Sequence, residues 1–248
     1  ICKKTNNLNS LSKVNLKILQ WNIGTPFYKQ RKENLVLFPY SLFHKNRIKF
    51  IENTIKKLDP DVLSLQEYLP NEINFKNYPY FASIKLEHYP YLNTVIYSKY
   101  PISNIYKDEK GAFILANIKN VNISSIHLHY NNSKYRSSQT ERLLNQKTEG
   151  NYLLTGDFNM QKFINKFIHK NDFDSHQKII KEFIYSPKNI FLGSYIIPLE
   201  LDYTYYSKNL KIIYSKTYYN YIKTIQSALD HFPTLIEINT LSRQDINN

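Results

Sequence analysis

Tyr152-Leu153-Leu154-Thr155-Gly156-Asp157-Phe158-Asn159 is the stretch on which the reading of this chain turns. An apolar run short enough for a buried strand stops at a glycine, and within one turn an acid and an amide follow. The same grammar recurs on both sides. Val14–Trp21 begins with apolar/polar alternation and runs as a strand into Asn22. Asp61-Val62-Leu63-Ser64-Leu65-Gln66-Glu67 is a buried strand with an acid at its end, and Val121–Tyr130 carries His127 late in its run. Leu201–Ser207 opens on Asp202, and Asp230-His231 stand just before Phe232-Pro233 and a strand over Pro233–Ile238. Polar residues gathered at the ends of rigid strands are where sites are usually built.

Further strands are expected at Thr94–Ser98, Phe113–Lys119 and Lys211–Ser215. Arg47–Leu58 is the clearest helix: Ile48, Ile51, Ile55 and Leu58 share one face, and Asp59-Pro60 stops it. A second helix is expected at Ser137–Gln146. Many strands with few helices imply an α/β architecture of two or four layers, neither a bundle nor an all-β barrel. Residues 14–240 then form one catalytic domain between flexible tails at 1–13 and 241–248.

Composition bounds the class. With 248 residues and 42 % hydrophobic content, the chain can bury one sizeable core. No run approaches the ~18 apolar residues of a membrane-spanning helix. The single Cys2 excludes an intramolecular disulfide and a cysteine zinc site. The chain opens at Ile1 with no initiator Met, as a trimmed or processed chain would. A formal net charge of +13 favours a polyanionic partner. Against that stands a plainer account, since only five of 33 basic residues are Arg and Lys, Asn, Ile and Tyr abound, as AT-rich codons dictate.

The residue types at the strand ends suit one chemistry. A hard divalent cation takes carboxylate oxygens, which Glu67 and Asp230 offer. An attacking water needs a carboxylate base and an amide to hold it, and Asp157 with Asn159 supplies both. A phosphate in its transition state needs donors, which Asn22, His127 and His231 provide. An Asp202–His231 pair would keep a proton for a phosphoryl oxygen. Taken singly, each is more often a turn former, a solvated acid or a structural histidine. His127 and His129 in particular compete for the same role. Seven histidines without a close-spaced helical pair speak against a zinc hydrolase.

The order of the blocks decides the matter. Trp21-Asn22, Leu65-Gln66-Glu67, Ile126-His127-Leu128, Gly156-Asp157-Phe158-Asn159, Leu201-Asp202-Tyr203 and Leu229-Asp230-His231-Phe232-Pro233 together resemble the endonuclease/exonuclease/phosphatase superfamily. That superfamily spans pancreatic-type deoxyribonucleases, apurinic-site endonucleases, poly(A) deadenylases, neutral sphingomyelinases and inositol polyphosphate 5-phosphatases. The resemblance runs from about Leu16 to Ile238, and Asp59-Pro60-Asp61-Val62, Ile96–Ile102 and Arg136 with Gln139 agree with it. It implies a four-layer sandwich of two mixed β-sheets flanked by helices, and Mg²⁺-dependent in-line hydrolysis, with Mn²⁺ as a substitute. In this resemblance Glu67 binds the metal with Asn22 beside it. Asp157 orients and deprotonates water, and Asn159 holds the phosphate or that water. His127 contacts a phosphoryl oxygen, Asp202 fixes the His231 ring, and Asp230 orients the site or takes a second metal. Two departures stand out: Ala228-Leu229 replace a small polar residue before Asp230, and Thr204 replaces a large apolar one after Asp202.

Loops choose the substrate on such a scaffold. Ile23–Asn46 interleaves cations with aromatics, among them Tyr28 and Arg31, which suits single-stranded nucleic acid, while the same aromatics would equally serve to cap the core. A monomeric nuclease acting on RNA or DNA is therefore expected. A sphingomyelinase-type lipid phosphodiesterase is the alternative, and a silent relative that only binds nucleic acid or a partner is the third. The tyrosines at 203, 205, 206, 214, 218, 219 and 221 read instead as a half-buried sheet face.

Overall fold

The computed structural model describes residues 14–24, 40–87, 89–146, 150–160, 170–185, 201–219, 229 and 231–241. The N-terminal tail, the C-terminal tail beyond Leu241 and most of the Ile23–Asn46 segment, with Tyr28 and Arg31, lie outside the described residues, as does Asp230.

The element order is β1(Asn15–Asn22), α1(Tyr40–Leu58), β2(Val62–Tyr68), β3(Tyr80–Lys85), β4(Asn93–Ser98), β5(Ser103–Lys107), β6(Phe113–Ile118) and β7(Val121–His127), followed by α2(Ser133–Asn145), β8(Asn151–Asp157), α3(Lys170–Glu182), β9(Ile184–Tyr185), β10(Asp202–Tyr206), β11(Leu210–Thr217) and β12(Thr234–Thr240). They build two six-stranded sheets, β11-β12-β1-β2-β4-β3 and β5-β6-β7-β8-β10-β9. Each sheet has one plan. A central parallel pair, β1–β2 or β7–β8, is joined across a helix, and the flanking pairs are antiparallel. A parallel pair needs such a crossover, and the helix it carries lands on one face of its sheet.

Period-two alternation then sorts the layers. Leu16, Ile18, Val62 and Ile96 of the first sheet meet Ile114, Ala116, Ile123 and Leu153 of the second in an inter-sheet core. Leu19, Trp21, Leu63 and Leu65 point the other way, onto Ile51, Ile55 and Leu58 of α1. Phe113, Leu115, Leu154, Tyr203 and Tyr205 do the same for the second sheet, meeting Leu143 of α2 and Ile179 of α3. The result is the expected four-layer α/β sandwich.

Some boundaries differ from expectation. α1 begins at Tyr40, so the last residues of the expected Ile23–Asn46 loop are helix. It ends as expected, with Asp59 at φ +43 donating its N–H to the Ile55 carbonyl at 2.8 Å ahead of Pro60. α2 starts four residues before the expected helix because the Asn132 side chain caps it, accepting from Tyr135 N–H at 3.0 Å. β7 stops at His127, three residues short of the expected end. α3, β3, β5 and β9 stand outside the expected elements; the three strands are short and largely exposed, whereas α3 is amphipathic with polar residues on its buried face.

Candidate active site

The inter-sheet face changes character along the strands. Starting from Leu16, every second residue of β1 points inward, so Ile18 is followed by Gln20 and Asn22, both buried. On β7 the inward series runs Val121, Ile123, Ser125, His127, and on β8 it runs Leu153, Thr155, Asp157. One end of the sandwich is therefore apolar and the other polar. The registers converge there: His127 and Asp202 both lie opposite Asp157 on its two neighbouring strands, and Asn22 lies opposite Gln66. Side chains paired in register on one face must meet.

Asp157 is the hub, 1 % exposed. Its Oδ2 accepts from Asn22 Nδ2 at 3.0 Å and lies 3.7 Å from His127 Nε2 and 3.6 Å from His231 Nε2. Its Oδ1 accepts from the Asn159 backbone N–H at 2.9 Å. Asp202 Oδ2 meets His231 Nδ1 at 2.8 Å, the pairing expected of these two. The same Asn22 amide also reaches Glu67 Oε1 at 3.2 Å, and His127 Nε2 lies 3.3 Å from that oxygen. Burial pushes the Asp157 carboxyl above the usual carboxylate range, aided by the charge of Asp202 and opposed by both histidines. Burial works against a charged His127, but the Glu67 hydrogen bond and the charges of Asp157 and Glu67 outweigh it and raise its pKa.

Three backbone devices aim these groups. Alternation alone would turn Glu67 away from its neighbour Gln66, but β2 bulges against β4 between Leu65 and Tyr68 and Glu67 takes φ +54. Gly24 lies under that carboxylate: a Cβ there would come 2.1 Å from Glu67 Oε2. Gly156, at φ +149, leaves no space for a Cβ, which would sit 2.2 Å from the Ile126 carbonyl oxygen on the parallel neighbour. Asn159, at φ +51, ties the two strand ends together, its Nδ2 donating to the Leu128 carbonyl at 2.9 Å.

Of the histidine alternatives, His127 enters the cluster. His129 lies beyond the strand, with its ring against Tyr130 at 5.4 Å and an interplanar angle of 12°. Asn22, Glu67, His127, Asp157, Asn159, Asp202 and His231 are thus brought together. The tyrosines at 203 and 205, expected on a half-buried sheet face, are instead fully buried against Phe158 and His176. The departure at Thr204 is accommodated by its hydroxyl, 3.0 Å from that of Thr155 opposite it. Leu229 is fully buried with Trp21 and Leu235.

Several supporting residues carried no assigned role in the sequence. Gln20 Nε2 donates to Asp202 Oδ1 at 2.7 Å and to Gln66 Oε1 at 3.1 Å, and Gln66 Nε2 reaches Ser125 Oγ at 2.9 Å across the sheets. Trp21 Nε1 holds the His231 carbonyl at 3.0 Å. The inward parity of Gln20 with Asn22 was the available signal. Arg47, 1 % exposed, donates twice to the Ile23 carbonyl and pairs with Glu72 at 2.7 Å, linking the turns after β1 and β2.

A family model, "Endonuclease/Exonuclease/phosphatase family", matches residues 19–223. Among solved structures, an AP endonuclease from Archaeoglobus fulgidus superposes with TM-score 0.67 at 14 % identity, covering 89 % of this chain and 98 % of that one. An endonuclease/exonuclease/phosphatase from Bacteroides vulgatus gives 0.65 at 14 % identity, covering 92 % and 99 %. A functionally unknown conserved protein from Enterococcus faecalis V583 gives 0.63 at 16 % identity, covering 91 % and 100 %. At such identities these likenesses speak to the fold. No curated protein matches the sequence. With the family model running through five of the six strand-end blocks and the fold agreeing throughout, this chain belongs to the endonuclease/exonuclease/phosphatase family, whose members are hydrolases of phosphoric esters.

Proposed function

We propose that this chain hydrolyses a nucleic-acid phosphodiester by in-line attack of water, with a divalent metal as cofactor. The convergence of His127 and His231 on Asp157 Oδ2, at 3.7 and 3.6 Å, carries the reading. A carboxylate base between two imidazoles places proton acceptor and phosphoryl donors around one small space. Asp157 orients and deprotonates the water, and Asn22 with the Asn159 backbone fixes the carboxylate. His231, its Nδ1–H given to Asp202, keeps Nε2 on the reacting side and in its protonated form donates to a phosphoryl oxygen. His127 contacts a second phosphoryl oxygen. Asn159 supplies a further amide hydrogen to phosphate or water.

Two groups bear on the metal. Asp157, Asp202 and His231 present ligand atoms within 4.8 Å of one another. In that group Asp202 and His231 are already bonded to each other, and the second oxygen of Asp202 takes Gln20. Glu67 fits a hard cation better: its carboxylate packs into the space that the missing Cβ of Gly24 leaves, with the Asn22 amide beside it. Glu67 and Asn22 would hold Mg²⁺, or Mn²⁺ in its place, with Asp230 as a further candidate. The bound ion would act as Lewis acid and charge clamp on the phosphoryl group.

The net charge of +13 and the likeness to an AP endonuclease favour a nucleic-acid substrate. Among the described residues, no helix is long and apolar enough to cross a membrane. Hydrolysis of single-stranded RNA, single- and double-stranded DNA and sphingomyelin, with Mg²⁺ or EDTA, tests the proposal. Metal-dependent cleavage of a nucleic acid, absent in Asp157→Ala, is the expected result. Cleavage of sphingomyelin alone moves the chain to the lipid reading, and undiminished cleavage by Asp157→Ala overturns the site.

A further inference from the structure

Glu67 is aimed against the alternation of its own strand and holds φ +54, which a non-glycine residue keeps only where its surroundings over-determine it. The turns on either side supply that constraint. Ile23 N–H donates at 3.0 Å to the carbonyl of Gln66, the residue before Glu67. Tyr68, the residue after it, donates its hydroxyl to the Ile73 carbonyl at 3.1 Å. Both ties lead to one side chain. Arg47 of α1 donates to the Ile23 carbonyl from Nε at 3.0 Å and from Nη2 at 2.6 Å. Its Nη1 pairs at 2.7 Å with Glu72, the neighbour of Ile73. Both side chains are buried, so the pair is little screened. The far end of this linkage touches the Glu67 carboxylate. Gly24 follows Ile23, and its N–H is held by Asn22 Oδ1 at 3.0 Å. A Cβ on Gly24 would come 2.7 Å from Glu67 Cβ and 2.1 Å from its Oε2, so this turn is the wall against which the whole side chain lies. Movement of the turn is therefore passed to the carboxylate and, through the shared Asn22 amide, to Asp157.

Resting on the metal reading of Glu67 above, we infer that Arg47 is a positioning residue for the metal-binding carboxylate, acting through the Ile23–Gly24 turn. Stability alone is a poor account of such a pair, since well-packed apolar side chains of similar volume often serve as well or better. What apolar side chains cannot do is donate in fixed directions to a carbonyl on one turn and a carboxylate on the other. The planar guanidinium does both at once.

Mn²⁺ binding to the substrate-free protein, followed by the electron paramagnetic resonance of the free ion, reads the carboxylate without turnover. Wild type should bind the ion, and Glu67→Gln should lose that site. Arg47→Met should weaken Mn²⁺ by about 10-fold or more, the scale on which support behind a metal ligand is felt. Gly24→Ala leaves the ion pair in place and, by pushing Glu67 aside, should weaken Mn²⁺ as well. Because Arg47→Met also strands the Glu72 charge, the double variant Arg47→Met/Glu72→Leu is compared with it. Thermal unfolding should show stability recovered in the double variant while Mn²⁺ stays weakly bound. Affinity that recovers together with stability reduces Arg47 to a structural role and overturns the inference. So does wild-type affinity in folded Gly24→Ala or Arg47→Met while Glu67→Gln has lost the ion, a result that leaves the metal reading intact. Unchanged Mn²⁺ binding in Glu67→Gln overturns the metal reading itself, and the inference with it.

Discussion

Gln20 is the residue whose role is least obvious from its type and clearest from its contacts. It gives the buried Asp202 carboxylate its second hydrogen bond, at 2.7 Å, while His231 takes the first. A charge in that setting needs both partners. Gln20→Leu should lower kcat by about 10- to 100-fold, as loss of such orienting contacts does. KM should stay near its wild-type value, which a merely unfolded fraction would also leave, so kcat is to be scaled to folded protein by circular dichroism. Gly156 makes the opposite point, that an absent side chain can hold a site together. With φ at +149 and the Ile126 carbonyl 2.2 Å from the position of a Cβ, Gly156→Ala must push β7 and β8 apart. Urea unfolding should register a loss of about 1–3 kcal/mol, the scale of a strained backbone position. Because His127 and Asp157 sit one residue along in the same register, turnover should fall with it.

Among the elements, α2 couples the site to the outer layer. Arg136, 5 % exposed, makes a two-pronged pair with Asp172 of α3, at 2.8 and 2.6 Å, and donates to the His129 and Tyr130 carbonyls. Gln139, one turn further, accepts the His129 N–H at 2.9 Å. This helix therefore fixes the chain just after His127. Arg136→Leu would strand a buried Asp172 and should cost about 3–5 kcal/mol, whereas pairing it with Asp172→Leu should recover much of the loss. A double-mutant cycle by chemical denaturation measures both. The same elements explain why part of the fold was not legible in the sequence. α3 is amphipathic, but its buried face carries Asp172, Ser175 and His176 beside Ile179, so polar residues interrupt the apolar stripe. β3 is an edge strand with Tyr80 and Phe81 exposed, and its alternation is correspondingly weak. α1 and β8, with plain apolar faces, were legible from residue spacing alone.

At the scale of the molecule, the many tyrosines give the fold an alkaline limit. Burial, with hydrogen bonds to Tyr214 and Glu87 respectively, pushes Tyr218 and Tyr135 up to about 12, and burial raises Tyr78 and Tyr97 as well. Each is neutral in the folded state and ionises near its ordinary value of 10 once unfolded. A raised folded pKa contributes stability that is whole below the unfolded value and is lost as pH climbs through the folded one. Stability should therefore hold to about pH 10 and fall between there and about pH 12. Tyrosinate absorbance followed beside circular dichroism should show late-titrating phenols released together with the fold; smooth titration ahead of unfolding would contradict it.

What the sequence determined by itself was the identity and order of the chemical groups. Asn22, Glu67, His127, Asp157, Asn159, Asp202 and His231 each follow or open an apolar run, and local pattern suffices to place them at strand ends. What only the tertiary structure decided was which of them meet, and how they are aimed. Registers between strands distant in the chain set Asp157 between His127 and Asp202. A bulge and a positive φ turn Glu67 inward against its own alternation. The crossover of two sheets brings Gln20 to Asp202, 182 residues away. Alternation is a local property and can be read along one strand; register, bulge and sheet-to-sheet approach depend on packing between strands and exist only once the chain has folded.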